Sequence, residues 1–380
     1  MKINIGITIK VKDPKKDSLF SNGIRQNVII LQEIYGKCKN VDKSYIINTC
    51  DIDPEEYRGT TWEEYSQHII TSDQAKDLCD VVVLCHGNMH LNKYEELNKM
   101  GKKMVLQVLG AELNMFNESV LFKPEPAKIY MGNPYVETVW TSPHFYDRDR
   151  DFFSALYRCP VYEAPYIWDP RFIERHVSLN KNRDPDKKSL YKPSSSAKRI
   201  SAVEPNINMV KTSTMPIVIS ELFYRKYPEY LKKTSMFGAH KIKSKEDLID
   251  FVKSLDIFKD KKIFFESRYP IVWTLENHTD ILLSHQSGCE LNYVYLDAAW
   301  LGFPVVHNSP MMKELGWYYP ENNSTVAVDH FNEIARNFDN RDHPDDKYVE
   351  RSRKFASKYL LGNPENIAGY EKLIDMLMKK

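Results

Sequence analysis

The stretch that most narrows the possible folds runs from Thr279 to Asn308. It opens with Thr279-Asp280-Ile281-Leu282-Leu283-Ser284, an apolar run of the kind that fills a buried parallel strand. Phe303-Pro304-Val305-Val306-His307 reads as the next strand. Between them Leu291, Val294, Leu296 and Ala298-Ala299 recur at roughly helical spacing, and Gly302 stands where a helix ends. Strand, turn, helix, glycine and strand in that order make a parallel crossover unit, so the surrounding architecture is α/β. In such a unit the helix N-terminus faces the ligand crevice and its free N–H groups favour a phosphate. Asp297, placed by this spacing about two turns into the helix, is expected to reach ribose or sugar hydroxyls.

The rest of the chain repeats the alternation. In the first half, strands are expected at Lys2–Ile9, Tyr45–Asn48, Val81–Leu84, Lys103–Leu109 and Thr138–Thr141, with a helix from Ile24 to Tyr35. Several end in Gly, Ser-Pro or His turns (Cys85-His86-Gly87, Gly110, Ser142-Pro143-His144), as suits an open parallel sheet with its functional loops at the carboxyl ends. No Gly-x-Gly-x-x-Gly occurs, which argues against a dinucleotide fold of the usual kind. Pro160–Pro170 reads as a crossing between domains. In the second half, strands are expected to begin at Lys198 and to recur at Thr234–Phe237, Ile263–Phe265, Ile281–Ser284 and Val305–His307, with helices from Lys347 to Met378. At 380 residues two domains are expected: an N-terminal Rossmann-like domain over 1–168, a basic linker over 169–199, a C-terminal Rossmann-like domain over 200–346 and closing helices over 347–380.

Composition adds limits. Apolar residues at 42% and charged residues at 28% describe an ordinary soluble globular protein. No apolar run of about 18 residues occurs, so no membrane span is expected. Met1–Ile7 reads as a strand rather than a signal peptide, and six cysteines without a Cys-x-x-Cys pair read as reduced thiols. The expected location is cytoplasmic. The net charge of +1 decides nothing about partners, but Arg171–Arg199 holds nine Lys/Arg against three acids.

Leu296-Asp297-Ala298-Ala299-Trp300-Leu301-Gly302-Phe303-Pro304-Val305-Val306 resembles the acidic-Ala-x-x-x-Gly-x-Pro-Val-Val donor signature of GT-B glycosyltransferases. Glu204-Pro-Asn-Ile-Asn, Arg268-Tyr-Pro, Ser284-His-Gln and Val306-His-Asn-Ser-Pro extend the resemblance to a GT-B-like family of bacteria and phages across most of the chain. It implies two Rossmann-like domains facing a central cleft, C-terminal helices crossing back to the N-terminal domain, and an acidic residue, here Asp297, on the sugar nucleotide. One position departs from the retaining pattern. Its second Glu, eight residues before the acid, is Cys289 here, with Glu290 one residue off, so the resemblance leaves the stereochemistry open.

Transfer of a sugar from a nucleotide needs a diphosphate cradle, hydroxyl partners and often a base for the acceptor. Ser287-Gly288-Cys289 is the candidate backbone cradle, and Lys211 and Arg268, both just past strand ends, are candidate phosphate partners; each could equally be a solvated cation. Asn206, Asn208, Glu290, Asn292 and His285 are candidate donor contacts, and His307 is another; local capping is the plainer role for the asparagines. Asn22-Gly23 is either a donor-proximal turn or a helix N-cap. His86 and His144 are the candidate bases, since imidazole titrates near neutrality. The Asp147-Arg-Asp-Arg-Asp run has Asp-x-Asp spacing but reads as a charged helix start, and the motifs call for no metal.

The implied function is a glycosyltransferase using a UDP-sugar, with UDP-glucose or UDP-arabinose both plausible. The Lys-, Asn- and Ile-rich texture is similar to that of T-even phage proteins, so 5-hydroxymethylcytosine in double-stranded phage DNA is the first acceptor to consider. Lys187, Lys188, Lys192, Lys198 and Arg199 would then hold phosphates, and Tyr162, Tyr166 and Trp168 would stack on a flipped base or sugar. The alternatives are transfer to a surface glycan, a non-catalytic sugar-nucleotide or nucleic-acid binding module, and a sugar epimerase of similar architecture.

Overall fold

The computed structural model describes residues 2–122, 132–179, 190–192, 197–338 and 346–379. The chain divides into two compact units, one formed by Met1–Phe172 with Lys358–Lys380 and the other by Ile173–Ser357. Among the described residues the first holds seven strands: β1 (Ile3–Ile9), β2 (Val41–Asn48), β3 (Ile69–Thr71), β4 (Val81–Leu84), β5 (Lys103–Val108), β6 (Thr138–Thr141) and β7 (Val161–Glu163). They pair in the order β3-β2-β1-β4-β5-β6-β7, and every pairing is parallel. Among the described residues the second holds six: β8 (Lys198–Val203), β9 (Leu231–Phe237), β10 (Ile263–Glu266), β11 (Ile281–Ser284), β12 (Val305–His307) and β13 (Trp317–Tyr318). Their order is β10-β9-β8-β11-β12-β13, again all parallel. Both sheets are therefore doubly wound, with the order of strand addition reversing at β1/β4 in one and at β8/β11 in the other.

The burial explains the sequence pattern. Val81–Leu84 and Ile281–Ser284 are buried at every position, because helices cover both faces of these central strands. Truncating one such side chain, Leu283 for example, is expected to cost about 2–5 kcal/mol. The helix Gly23–Lys37 turns Val28, Leu31, Ile34 and Tyr35 inward at the spacing read from sequence, and Asn22 caps it by accepting from the Ile24 N–H at 3.0 Å. The helix Pro364–Met378 packs on it within the first unit. The Tyr35 and Tyr370 rings meet edge-on at 5.5 Å, and the Asn40 amide donates to Asp375 at 2.7 Å.

Boundaries differ in places from the expectation. Arg171–Ser178, placed in the linker, is helical, whereas β8 begins at Lys198, where the second half's strands are expected to start. The helix Asp346–Ala356 lies in the second unit, so the chain returns to the first only from Lys358. Three strands had no apolar run long enough to be read: β3, β7 and β13 have three, three and two residues. Among the described residues no helix is long and apolar enough to cross a membrane.

Candidate functional site

The carboxyl ends of β8 and β11 flank the switch point of the second sheet, where ligands of doubly wound folds bind. Glu204 leaves β8 there, 1% exposed. Its Oε1 accepts from the Ser284 hydroxyl at 2.5 Å and from the His285 N–H at 3.2 Å, tying the two strand ends together. The Tyr295 hydroxyl lies 2.9 Å from the Ser284 oxygen. Burial pushes the Glu204 carboxyl above its ordinary range, and the nearby Lys211 ammonium pulls it partly back. Gly238, at φ +76°, lets the turn after β9 press against this strand end; a Cβ there would sit 2.5 Å from the Glu204 carbonyl oxygen.

Around this post the loops are held by side-chain clamps. Asn206 donates to the Glu204 carbonyl and accepts from the Ser213 N–H, both at 2.8 Å, closing the loop that carries Asn208 and Lys211. The Asn308 amide brackets Gln286, accepting from its N–H at 2.9 Å and donating to its carbonyl at 2.8 Å. Gln286 Oε1 in turn accepts from the Cys289 N–H at 2.6 Å, across the turn that Gly288 makes at φ +71°. The Ser287 N–H reaches the Val210 carbonyl at 2.9 Å, joining the two loops. Asn292 then caps the helix Tyr293–Trp300 through the Val294 N–H. The result is a rigid rim that ends in a helix N-terminus. Lys211 is half-buried and Arg268 exposed on the same carboxyl edge, and among the described residues neither has an ion-pair partner. Chemically, this rim suits an anion.

Several candidates fall elsewhere than expected. Asp297 is the fifth residue of its helix, just over one turn in rather than two, and is 6% exposed. Glu290 accepts from the Met311 N–H at 2.9 Å, so its carboxylate braces the turn after β12. His285 is buried between Tyr319, at 3.0 Å, and Asn322; burial holds it neutral, lowered to about 4. His307 is wholly enclosed, with Nε2 2.6 Å from the Leu315 carbonyl and Nδ1 accepting from the Ser309 N–H, so it is a structural residue rather than a donor contact. Asn206, with both ends of its amide engaged, is likewise a loop clamp.

The first unit carries a different rim. His86 follows β4, and its Nδ1 accepts from the Lys10 N–H at 3.3 Å. The neutral ring then carries its proton on Nε2, a donor rather than the lone pair a base needs. Burial, then the charges of Arg25 and Lys10, lower its pKa. His144 sits in the first turn of the helix Pro143–Tyr157, its ring centroid 3.9 Å from that of Phe145. Asp149 lies mid-helix, fully buried and gripped by Arg148 at 2.5 and 2.8 Å, which takes it out of any charged helix start. Asn22 and Gly23 cap and open the helix after β1.

One acid on this rim went unremarked in the sequence. Glu112 opens the helix Glu112–Phe122 after β5, and burial together with the Asp149 carboxylate pushes it up to about 7. The helix dipole favours its anion by about 0.3–1 kcal/mol, less than the roughly 3 kcal/mol that such a rise represents. An acid immediately past a strand-end glycine, Gly110-Ala111-Glu112, was the available signal.

The basic segment divides three ways. Lys187 and Lys188 lie outside the described residues, and Lys192 is exposed. Lys198 is fully buried in β8, while Arg199 is bound to Asp280 at 2.7 and 3.1 Å, so neither offers a cation to a nucleic-acid backbone. Trp168 is 1% exposed and packed in the first unit's core, unavailable for stacking.

No curated protein sequence matches this chain. A family model described as "Protein of unknown function (DUF2827)" matches residues 5–374. The chain is similar in structure to a UDP-forming α,α-trehalose-phosphate synthase from Burkholderia xenovorans, with a TM-score of 0.57 at 8% identity over 100% of this chain and 99% of that one. It is similar also to HepE of Anabaena, solved in complex with UDP-glucose, at 0.51 and 9% over 100% of both chains. A glycosyltransferase from Rickettsia africae ESF-5 gives 0.50 and 13% over 100% and 98%. Identities this low speak to the fold alone, and the fold is that of the GT-B glycosyltransferases.

Proposed function

We propose that this chain, which belongs to the family described as Protein of unknown function (DUF2827), is a glycosyltransferase that moves a sugar from a UDP-sugar to a hydroxyl acceptor. The observation that carries the proposal is the second unit's rim. At the switch point of a doubly wound sheet, a clamped Gly288 turn leads into a capped helix N-terminus, and Lys211 and Arg268, without ion-pair partners among the described residues, stand on the same edge. That is a diphosphate's complement. Structures of the same fold that hold UDP-glucose add support for uridine as the nucleotide. In this proposal Lys211 and Arg268 neutralise phosphate charge and Asp297 orients the ribose or sugar hydroxyls, whereas the Ser287 and Cys289 N–H groups, bonded to the Val210 carbonyl and to Gln286 Oε1, do not form the backbone cradle expected from sequence. Asn208 lies in the loop with Lys211 and is retained as a donor contact.

For the acceptor, the proposal keeps 5-hydroxymethylcytosine in DNA as the first candidate and a glycan hydroxyl as the second. Lys192 remains an exposed cation for the DNA case, whereas Lys198 and Arg199 no longer support it. The test is incubation with a panel of UDP-sugars and either hydroxymethylated duplex DNA or oligosaccharides, followed by digestion and mass spectrometry. A hexose or pentose increment on the nucleoside is the expected result. An increment on the oligosaccharide alone would replace the DNA acceptor. Absence of any increment, with no release of UDP, would contradict glycosyl transfer and favour a binding module.

A further inference from the structure

We propose that the second unit carries a saccharide-binding surface separate from its nucleotide rim, an aromatic floor of Phe264, Tyr269 and Trp273 on which neutral pyranose rings stack. Binding there does not depend on the sugar transfer proposed above.

Strand register builds the floor. Among the described residues β10 is an edge strand of the second sheet, and in its pairing with β9 Phe264 stands opposite Ser235 and Glu266 opposite Phe237. Alternation along the two strands puts Lys233, Phe237, Phe264 and Glu266 on one sheet face. The helix Ile271–His278 lies against that face, where the Phe237 ring meets His278 edge-on at 5.6 Å and Tyr269 at 6.1 Å. Contacts then run on without a break. The ring centroids of Tyr269 and Trp273 are 4.7 Å apart, those of Trp273 and His278 are 4.8 Å apart, and Lys233 Nζ lies 5.8 Å from the centre of the Phe264 ring. Phe237 is buried and anchors the cluster, whereas Phe264, Tyr269 and Trp273 are 42%, 40% and 40% exposed. Three large rings gathered in one place and left in contact with water mark a binding surface rather than a core.

The polar groups along its border select the occupant. The Lys233 ammonium donates to His278 Nδ1 at 3.2 Å, so the neutral imidazole carries its proton on Nε2 and can donate in turn. Among the described residues no donor side chain is placed on the half-buried Glu266 carboxylate, which is left to accept. Sugar hydroxyls both donate and accept, and the partly negative ring faces attract the C–H groups of a pyranose. A phosphodiester chain would instead meet the charge of Glu266. An apolar protein face would strip water from Glu266 and Lys233 and return no hydrogen bond. A neutral oligosaccharide fits both the floor and its border.

The test titrates the intact protein, without donor, with soluble malto-, cello- and chito-oligosaccharides, read by calorimetry and saturation-transfer NMR. At least one series should bind. Trp273→Ala and Phe264→Ala should each weaken that binding by about tenfold, and Trp273→Phe should retain most of it. All three variants should melt with wild type; if Trp273→Ala melts lower, Phe264→Ala and Trp273→Phe decide. UDP should not displace the oligosaccharide, and Trp273→Ala should bind UDP as wild type does. Failure of every series to bind wild type, or unchanged affinity in Phe264→Ala and Trp273→Ala, would overturn the proposal. So would displacement by UDP, which would assign the rings to the nucleotide site, since Tyr269 follows Arg268. Sedimentation showing that wild type self-associates and Phe264→Ala does not would give this face to a second copy instead. Because no transfer is measured, a chain that moves no sugar could still bind here, and the two proposals fail separately.

Discussion

The two switch points, β1/β4 and β8/β11, are built alike at their amino ends and differently at their carboxyl ends. In the first unit the Asp80 N–H donates to the Asn4 carbonyl and the Asp80 carboxylate accepts from the Asn4 N–H, both at 2.8 Å. In the second, Asp280 repeats both bonds with Arg199, again at 2.8 Å, and adds the Arg199 guanidinium. At the opposite ends, β1 and β4 are bridged by Thr8, whose hydroxyl accepts from the Cys85 N–H, whereas β8 and β11 are bridged by the buried carboxyl of Glu204. One topology thus carries two differently built rims. The second rim is locked by side-chain clamps and carries Lys211 and Arg268, neither with an ion-pair partner among the described residues. The first carries Glu112, on which no donor is placed among the described residues, and the half-buried His86, whose Nδ1 is taken by the Lys10 N–H.

That contrast can be broken at either rim. The largest effect is expected from the double variant Lys211→Ala with Arg268→Ala. Each lost charge-assisted phosphate contact is worth about 1.5–3 kcal/mol, so UDP affinity measured by calorimetry should fall by about 10²–10⁴-fold. Glu112→Gln should leave it unchanged; a comparable loss there would erase the difference between the rims.

The amino-end clamps come next. Asp280→Ala strands a partly buried guanidinium and should cost about 3–5 kcal/mol in denaturant unfolding. Asp80→Ala removes only an exposed bond to a backbone N–H, and about 1 kcal/mol is expected. Equal losses would mean that the Arg199 pair adds nothing.

Acid should act on the second unit through its histidines. Burial depresses His285 and His307 to about 4 in the folded chain, below the ordinary 6.5. Between those values the unfolded chain binds more protons, so stability is full above pH 6.5 and is lost as pH falls toward 4, by roughly 3 kcal/mol per residue at most. Glu204, raised by burial, works in the opposite sense and blunts the slope. His307→Gln should flatten a plot of melting temperature against pH; an unchanged slope would assign the acid sensitivity elsewhere.

The first rim should respond to pH in the opposite sense. Glu112 is raised from 4.5 to about 7, so the folded chain loses stability as pH rises through that window. Glu112→Gln should therefore melt higher than wild type at pH 8 and equally at pH 4.5, by up to roughly 3 kcal/mol in stability. A lower melting point at pH 8 would mean that the carboxylate is a structural partner after all.

The strands that sequence reveals are those buried on both faces, because burial on both sides demands a continuous apolar run: Val81–Leu84, Ile281–Ser284 and Val305–His307 stand where that pattern puts them. Trp317–Tyr318 is a strand only because it pairs with Val306 and His307, and nothing local announces it. The same distinction runs through the site. Asn292 and Asn22 cap helices that their neighbours in sequence define, so both were legible as caps. The roles of His307, Lys198 and Arg199 depend on Leu315, on the interior of β8 and on Asp280, contacts that only the fold creates. The raised proton affinity of Glu112 depends on burial and on the charge of Asp149, distant in sequence, so nothing local announces it.

The most direct measurement is amide hydrogen exchange of the intact protein with and without UDP. Bound UDP should slow exchange in 204–213 and 285–293, the loops of the second rim, and leave 10–22 and 85–90 unaffected. Protection confined to the first unit's loops, or none at saturating UDP, would contradict the assignment of the nucleotide to the second rim.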